Sequence, residues 1–254
     1  MTAAYVFDTE TTSRDDDREI IEAAWIRLEP VEDLAGESDA IPHPLIPEGG
    51  IGALTSRRQL FKPSRPITFG SMAVHHILPS DVEDSRPSSE FALPTDCDYL
   101  VGHSIDFDWE AAGKPQVKRI CTHAMAQWVW PDTDSYGQSA LLYMLTEGSL
   151  AMRKLLRDAH SAYVDASNCL LLLDYILGER PDLTTWRALW QFSEECRMPR
   201  VCQFRQFRGV PWSEVAETDP SFCDWVIRQD FVDAYLRRAV MLAMGYETKQ
   251  EGTA

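Results

Sequence analysis

Apolar residues run unbroken through Ala3-Ala4-Tyr5-Val6-Phe7 and stop at Asp8, a short run bounded by polar residues that predicts a buried strand. A second strand is predicted over Glu19–Leu28, joined to the first by the polar turn Ser13-Arg14-Asp15-Asp16-Asp17, so the chain opens like a hairpin. From 29 to 56, Pro30, Pro42, Pro44, Pro47 and the Gly49-Gly50 pair interrupt every period, and the stretch reads as a long insertion rather than core. A third strand is predicted at Arg58–Lys62, then short helices over Ile67–Ile77 and Pro79–Val82, then strands at Asp98–His103 and Val117–Cys121. Thr122 reads as the N-cap of a helix running through Trp130 to the break at Pro131. Helical periods follow over 137–145, 164–177 and 183–197.

An antiparallel start, followed by strands separated by helices, predicts an α/β fold: a mixed sheet of the ribonuclease H type flanked by helices. The expected organisation is a main domain over 1–180 carrying the 29–56 insertion, a connecting helix over 181–199, and a small α-rich C-terminal module over 200–254.

Composition narrows the possibilities. No apolar stretch approaches the roughly 20 residues of a membrane span. The start of the chain has neither a basic segment nor a long apolar core, so a cytoplasmic protein with reduced thiols is expected. The six cysteines form no Cys-x-x-Cys pair and read as small buried residues rather than a zinc or disulfide framework. A net charge of -16 argues against holding nucleic acid by a broad basic surface. Local basic groups remain, at Arg57, Arg58, Lys62 and Arg65, and again at Arg200, Arg205 and Arg208.

Against that background the end of the first strand stands out. Residues two apart on a strand share a face, so Asp8 and Glu10 place two carboxylates side by side. Like charges held together at a buried strand end call for a cation between them, although Asp-x-Glu alone is more often a strand running into an acidic loop. Asp108 lies where another strand enters a helix, beside Asp106, and for either aspartate alone helix capping is the commoner role. His160 and Asp165 are five residues apart, about 500° on a helix, so they cannot share one helical face. His160 therefore lies in the loop before the helix, free to swing over a site into which Asp165 projects.

Asp8-Thr9-Glu10-Thr11, the His103-to-Asp108 segment, and His160-x-Ala162-x-x-Asp165-Ala166 together resemble the three motifs of the DEDDh 3′-to-5′ exonucleases. Arg65-Pro66-Ile67, Met72 to Ile77, Ile120-Cys121-Thr122 and Trp130-Pro131 look like one branch of that family. The resemblance implies two Mg²⁺ ions, replaceable by Mn²⁺, held by Asp8, Glu10, Asp108 and Asp165, with Asp8 bridging and His160 taking a proton from the attacking water. It implies that Thr9, Thr11 and His103 contact the substrate. It implies hydrolysis of single-stranded or frayed DNA from 3′ ends to 5′ mononucleotides, with RNA trimming as the alternative, no membrane partner, and a possible homodimer. A non-catalytic acidic binding protein on the same fold is the third reading. His75 and His76 stand where relatives carry a motif histidine and are given no catalytic role. Residues 204–226 are similar to a small module that trails this branch. Phe204, Phe207, Trp212 and Trp225 in it could stack bases, but they read first as the core that a small module needs.

Overall fold

The structure, a computed structural model, describes residues 2–29, 39–158 and 160–246. Part of the Pro-rich insertion, 30–38, and the last eight residues of the C-terminal module lie outside them. The chain divides into two compact units, Met1–Ser193 and Glu194–Ala254. The division falls within the helix expected to be a connector.

The first unit is built on a six-stranded sheet. Its strands are β1 (Ala4–Thr11), β2 (Ile20–Leu28), β3 (Ser56–Lys62), β4 (Arg86–Pro87), β5 (Tyr99–Gly102) and β6 (Lys118–Cys121), in the spatial order β4-β3-β2-β1-β5-β6. β1 and β2 are antiparallel, as are β2 and β3, while β5 runs parallel to β1 and β6 parallel to β5. Central strands with both faces covered need apolar residues at nearly every position. β2 is buried at all positions but one, including the single acid Glu22.

The helices are α1 (Phe69–His75), α2 (Asp106–Ala111), α3 (Thr122–Val129), α4 (Gln138–Leu145), α5 (Leu150–Leu155), α6 (Ala162–Glu179) and α7 (Trp186–Cys196). α6 lies against β1 and β2, burying Ala162, Ala166, Cys169, Leu170, Leu173, Ile176 and Leu177 at the three- and four-residue spacing of one helix face. The small side chains at its start bring its first turns close to the strand that carries Asp8 and Glu10. Strand order and helix placement make this a mixed α/β, ribonuclease H-like fold, as the sequence implied.

Several expectations need correction. Thr122 is the first residue of α3 rather than its cap, and its hydroxyl lies 3.3 Å from the carbonyl of Gly102 and 3.0 Å from Nδ1 of His103. The described part of the insertion is not a free excursion. Ile41 N–H donates to the carbonyl of Thr184, Trp186 N–H to that of Asp39, and Leu45 is buried. β4 and α5 are too short to show a period.

The second unit contains α8 (Trp212–Thr218), α9 (Pro220–Ile227) and α10 (Ala234–Ala243). They close on a core of Cys202, Trp212, Val215, Cys223, Val226, Val232 and Val240. Five of the six cysteines are buried.

Candidate active site

Asp8 and Glu10 stand on one face of β1, cross-strand from Ala24 and Glu22 of β2. Asp165 comes from the first turn of α6. One carboxylate oxygen from each of Asp8, Glu10 and Asp165 lies within 4.8 Å of the others, so together they could hold a metal ion. The donors are all oxygens, the set that hard divalent cations prefer.

Asp108 approaches from α2. Gly102 lets β5 pass close to β1, since a Cβ there would stand 3.1 Å from the carbonyl of Phe7 and 2.6 Å from Cδ1 of Ile105. Ser104, at φ 66°, then turns the chain into α2. Asp108 is buried, and its Oδ1 accepts both the backbone N–H of Thr9 at 2.9 Å and the Thr9 hydroxyl at 2.7 Å. It is not among the three acids grouped within 4.8 Å. Its charge nevertheless acts on Asp8 and Glu10.

Burial and mutual repulsion set the electrostatics. Desolvation, then the charges of Asp108, Asp165, Glu10 and Glu22, hold the Asp8 carboxyl well above the ordinary carboxylate range. Glu10 is pushed up to about 8 by burial and by Asp165, Glu22 and Asp108. Burial lifts Asp108 to about 7 against the two hydrogen bonds from Thr9, and raises Asp165 against the favourable charge of His160. Four neighbouring acids that all resist ionisation are what an unscreened cation site looks like.

His160 lies before α6 in a left-handed conformation, φ 72°, with its residue exposed. Its backbone N–H donates to Oδ2 of Asp165 at 3.2 Å, which ties the loop to the acid. The sequence-based placement of His160 off the helix agrees with this geometry.

The residues expected to touch substrate are committed inside the protein. The Thr9 hydroxyl donates to Asp108, and the Thr11 hydroxyl donates to the Ser13 carbonyl at 2.7 Å. His103 has one ring nitrogen 2.7 Å from the Tyr136 carbonyl and the other 3.0 Å from the Thr122 hydroxyl. A carbonyl only accepts, so Nε2 carries the proton and Nδ1 accepts from Thr122. Burial, the largest influence, pulls this imidazole down to about 4. The physical reason is common to all three: buried polar groups must find partners within the fold. His75 likewise accepts the Ile77 N–H at 2.9 Å, and His76 closes α1 at φ 58°. Asp106 pairs with Arg119 rather than capping α2.

Glu22 is a further acid whose charge acts on Asp8, Glu10 and Asp165 and which lies outside the three motifs. It is fully buried, its Oε1 pairs with Arg58, and its Oε2 accepts the backbone N–H of Ala162 at 2.9 Å. A lone acid inside Ile20-Ile21-Glu22-Ala23-Ala24 was the available signal, because a charge in a buried strand needs a partner. The basic group around Arg57–Arg65 is partly spent in this way: Arg58 on Glu22, Arg65 on Asp17.

Fold and site together define a ribonuclease H-like chain with a clustered carboxylate centre. No protein-family profile matches it. Exodeoxyribonuclease 10 of Escherichia coli K12 is 29% identical over 177 residues, which span 66% of this chain and 74% of that protein. Exonuclease X in complex with 5′ overhanging duplex DNA superposes with a TM-score of 0.51 at 22% identity, over 75% of this chain and 99% of that one. Escherichia coli exonuclease I in complex with a dA16 oligonucleotide gives 0.50 at 14% identity, over 76% of this chain and 43% of that protein, a likeness of fold alone. The chain resembles the DEDDh-like exonucleases, with exonuclease X among the proteins it is similar to. Among the described residues no helix is long and apolar enough to cross a membrane.

Proposed function

We propose that this protein is a metal-dependent 3′-to-5′ exonuclease that hydrolyses phosphodiester bonds at single-stranded or frayed 3′ ends and releases 5′ mononucleotides. The observation that carries the reading is the grouping of Asp8, Glu10 and Asp165 oxygens within 4.8 Å beside the loop bearing His160. Two Mg²⁺ ions, or Mn²⁺, bound by these acids with Asp108 would stabilise the negative charge that develops on the phosphoryl and leaving oxygens. Asp8, neighbour to all the other acids, is the residue best placed to be shared between two ions.

His160 takes the proton of the attacking water, a task that suits an exposed imidazole on a loop rather than on the packed helix. Thr9 acts through Asp108: two hydrogen bonds to a single oxygen, Oδ1, fix that carboxylate. DNA is the favoured substrate because the relative at 29% identity is an exodeoxyribonuclease.

The test is a rate comparison on single-stranded DNA and RNA of matched sequence with Mg²⁺. Faster loss of 3′ nucleotides from DNA is expected. Faster trimming of RNA would transfer the assignment to an oligoribonuclease-type activity on the same site.

A further inference from the structure

The C-terminal unit carries an aromatic surface that its core does not use. Trp212 is buried and stacks on Phe222, with 16° between planes at 6.5 Å. Phe222 stacks in turn on Trp225, with 20° at 5.7 Å, and Trp225 is 46% exposed. The near-parallel series therefore begins in the core and ends at solvent. Phe231, 68% exposed, tilts against Trp225 at 6.2 Å, and Phe204 meets it edge-on at 6.0 Å. Phe204, Arg205, Gln206, Phe222 and Trp225 line an open groove of about 570 Å³. Trp225 departs here from the expectation of a core residue, whereas Trp212 meets it.

Charge selects the occupant. Residues 1–193 hold 16 Lys and Arg against 30 Asp and Glu, a field that repels polyanions. Residues 194–254 hold eight Lys and Arg against ten Asp and Glu, close to balance. A planar, apolar, half-exposed ring flanked by an arginine and an amide fits a nucleobase with its phosphate: the ring stacks, Arg205 meets the anion, and Gln206 supplies a donor and an acceptor. An apolar protein partner would leave Arg205 and Gln206 in the groove wall to be desolvated without return.

We propose that the groove around Trp225 is a second contact for single-stranded nucleic acid, stacking a base on Trp225 and Phe231. The proposal rests on the exonuclease reading for the source of the strand. Its test does not depend on turnover.

The full-length protein is titrated in EDTA against fluorescein-labelled dT20 and read by fluorescence anisotropy. Trp225→Ala is expected to weaken binding by about tenfold or more, the usual effect of losing one base–aromatic stack, and Trp225→Phe to recover most of it. Arg205→Ala should lower the slope of log affinity against log salt by about one phosphate contact. Hydrolysis of a dinucleotide should stay unchanged in all three variants, since no residue of the carboxylate centre is altered. Should Trp225→Ala lose its fold by circular dichroism, Phe231→Ala carries the same expectation. Unchanged dT20 affinity in a folded variant overturns the proposal. So does a loss of self-association on sedimentation without loss of dT20 binding, which would make the face a contact between copies. A wild-type protein that binds dT20 but never cleaves a dinucleotide would count against the exonuclease reading while leaving this contact standing.

Discussion

Glu22 of β2 accepts the backbone N–H of Ala162, the first residue of α6, at 2.9 Å across 140 residues of chain. One buried strand carboxylate thereby fixes the start of the helix that delivers Asp165, and with it the loop holding His160. Glu22→Gln keeps an acceptor for that N–H, whereas Glu22→Ala leaves it buried and unpaired at a cost of about 1–3 kcal/mol. Turnover is expected to fall by about tenfold or more in the alanine variant and only a few fold in the glutamine variant, about as that energy implies. Steady-state rates on an oligonucleotide decide it, and equal losses in both variants would show that the charge matters rather than the hydrogen bond.

Thr9 gives a second, subtler case. Thr9→Val keeps the shape and the backbone N–H but removes the 2.7 Å hydroxyl bond to Asp108. A hydrogen bond to a charged group is worth about 1.5–3 kcal/mol, so a drop in activity of about tenfold or more is expected, with a higher Mg²⁺ concentration needed for half-maximal rate. A Mg²⁺ titration of the rate tests this. An unchanged midpoint would mean that the backbone N–H alone holds the carboxylate.

Proton binding gives the site a signature in stability. Glu10, raised to about 8, and Asp108, raised to about 7, bind protons more tightly in the folded chain than unfolded. Their contribution is complete below the ordinary carboxylate range and is lost as pH rises through the folded values. In EDTA the melting temperature is therefore expected to fall between about pH 5 and pH 8, most steeply below about pH 7, where both folded groups still hold protons that the unfolded chain has released. Mg²⁺ should restore more stability at high pH than at low, because ligands must be deprotonated to bind it. A melting temperature in EDTA that rises over that interval would contradict the electrostatics described above.

The two kinds of site residue should separate cleanly. His160→Ala is expected to cut turnover by about a hundredfold to ten-thousandfold while leaving the Mg²⁺-induced rise in melting temperature. Asp8→Asn is expected to abolish both, and to stabilise the metal-free protein by removing one charge from a repelling cluster. Full activity in His160→Ala would remove it from the mechanism.

Much of this site is legible in the chain, and the illegible part has a physical cause. Asp8 and Glu10 follow from strand alternation, and the place of His160 before a helix follows from helical angle; both depend only on local geometry. Glu22, Arg58 and the Ala162 N–H meet through tertiary contacts that no local period encodes. The committed hydroxyls of Thr9 and Thr11 belong to the same class, since partners for buried donors are chosen by the fold. Strands β1, β2 and β5 announce themselves as apolar runs, β3 and β6 carry only two apolar residues each beside charged ones, and two-residue β4 and six-residue α5 are too brief to carry a pattern. Prolines erase any period over residues 39–45, yet backbone bonds to 184 and 186 anchor them.

The most direct test of the central claim is the product pattern from 5′-labelled single-stranded DNA incubated with the pure protein. With Mg²⁺ the account predicts a ladder shortening one nucleotide at a time from the 3′ end, and none with EDTA. Intact oligonucleotide in the presence of Mg²⁺ that calorimetry shows to be bound would contradict it, and would make the carboxylate centre a cation site without hydrolysis.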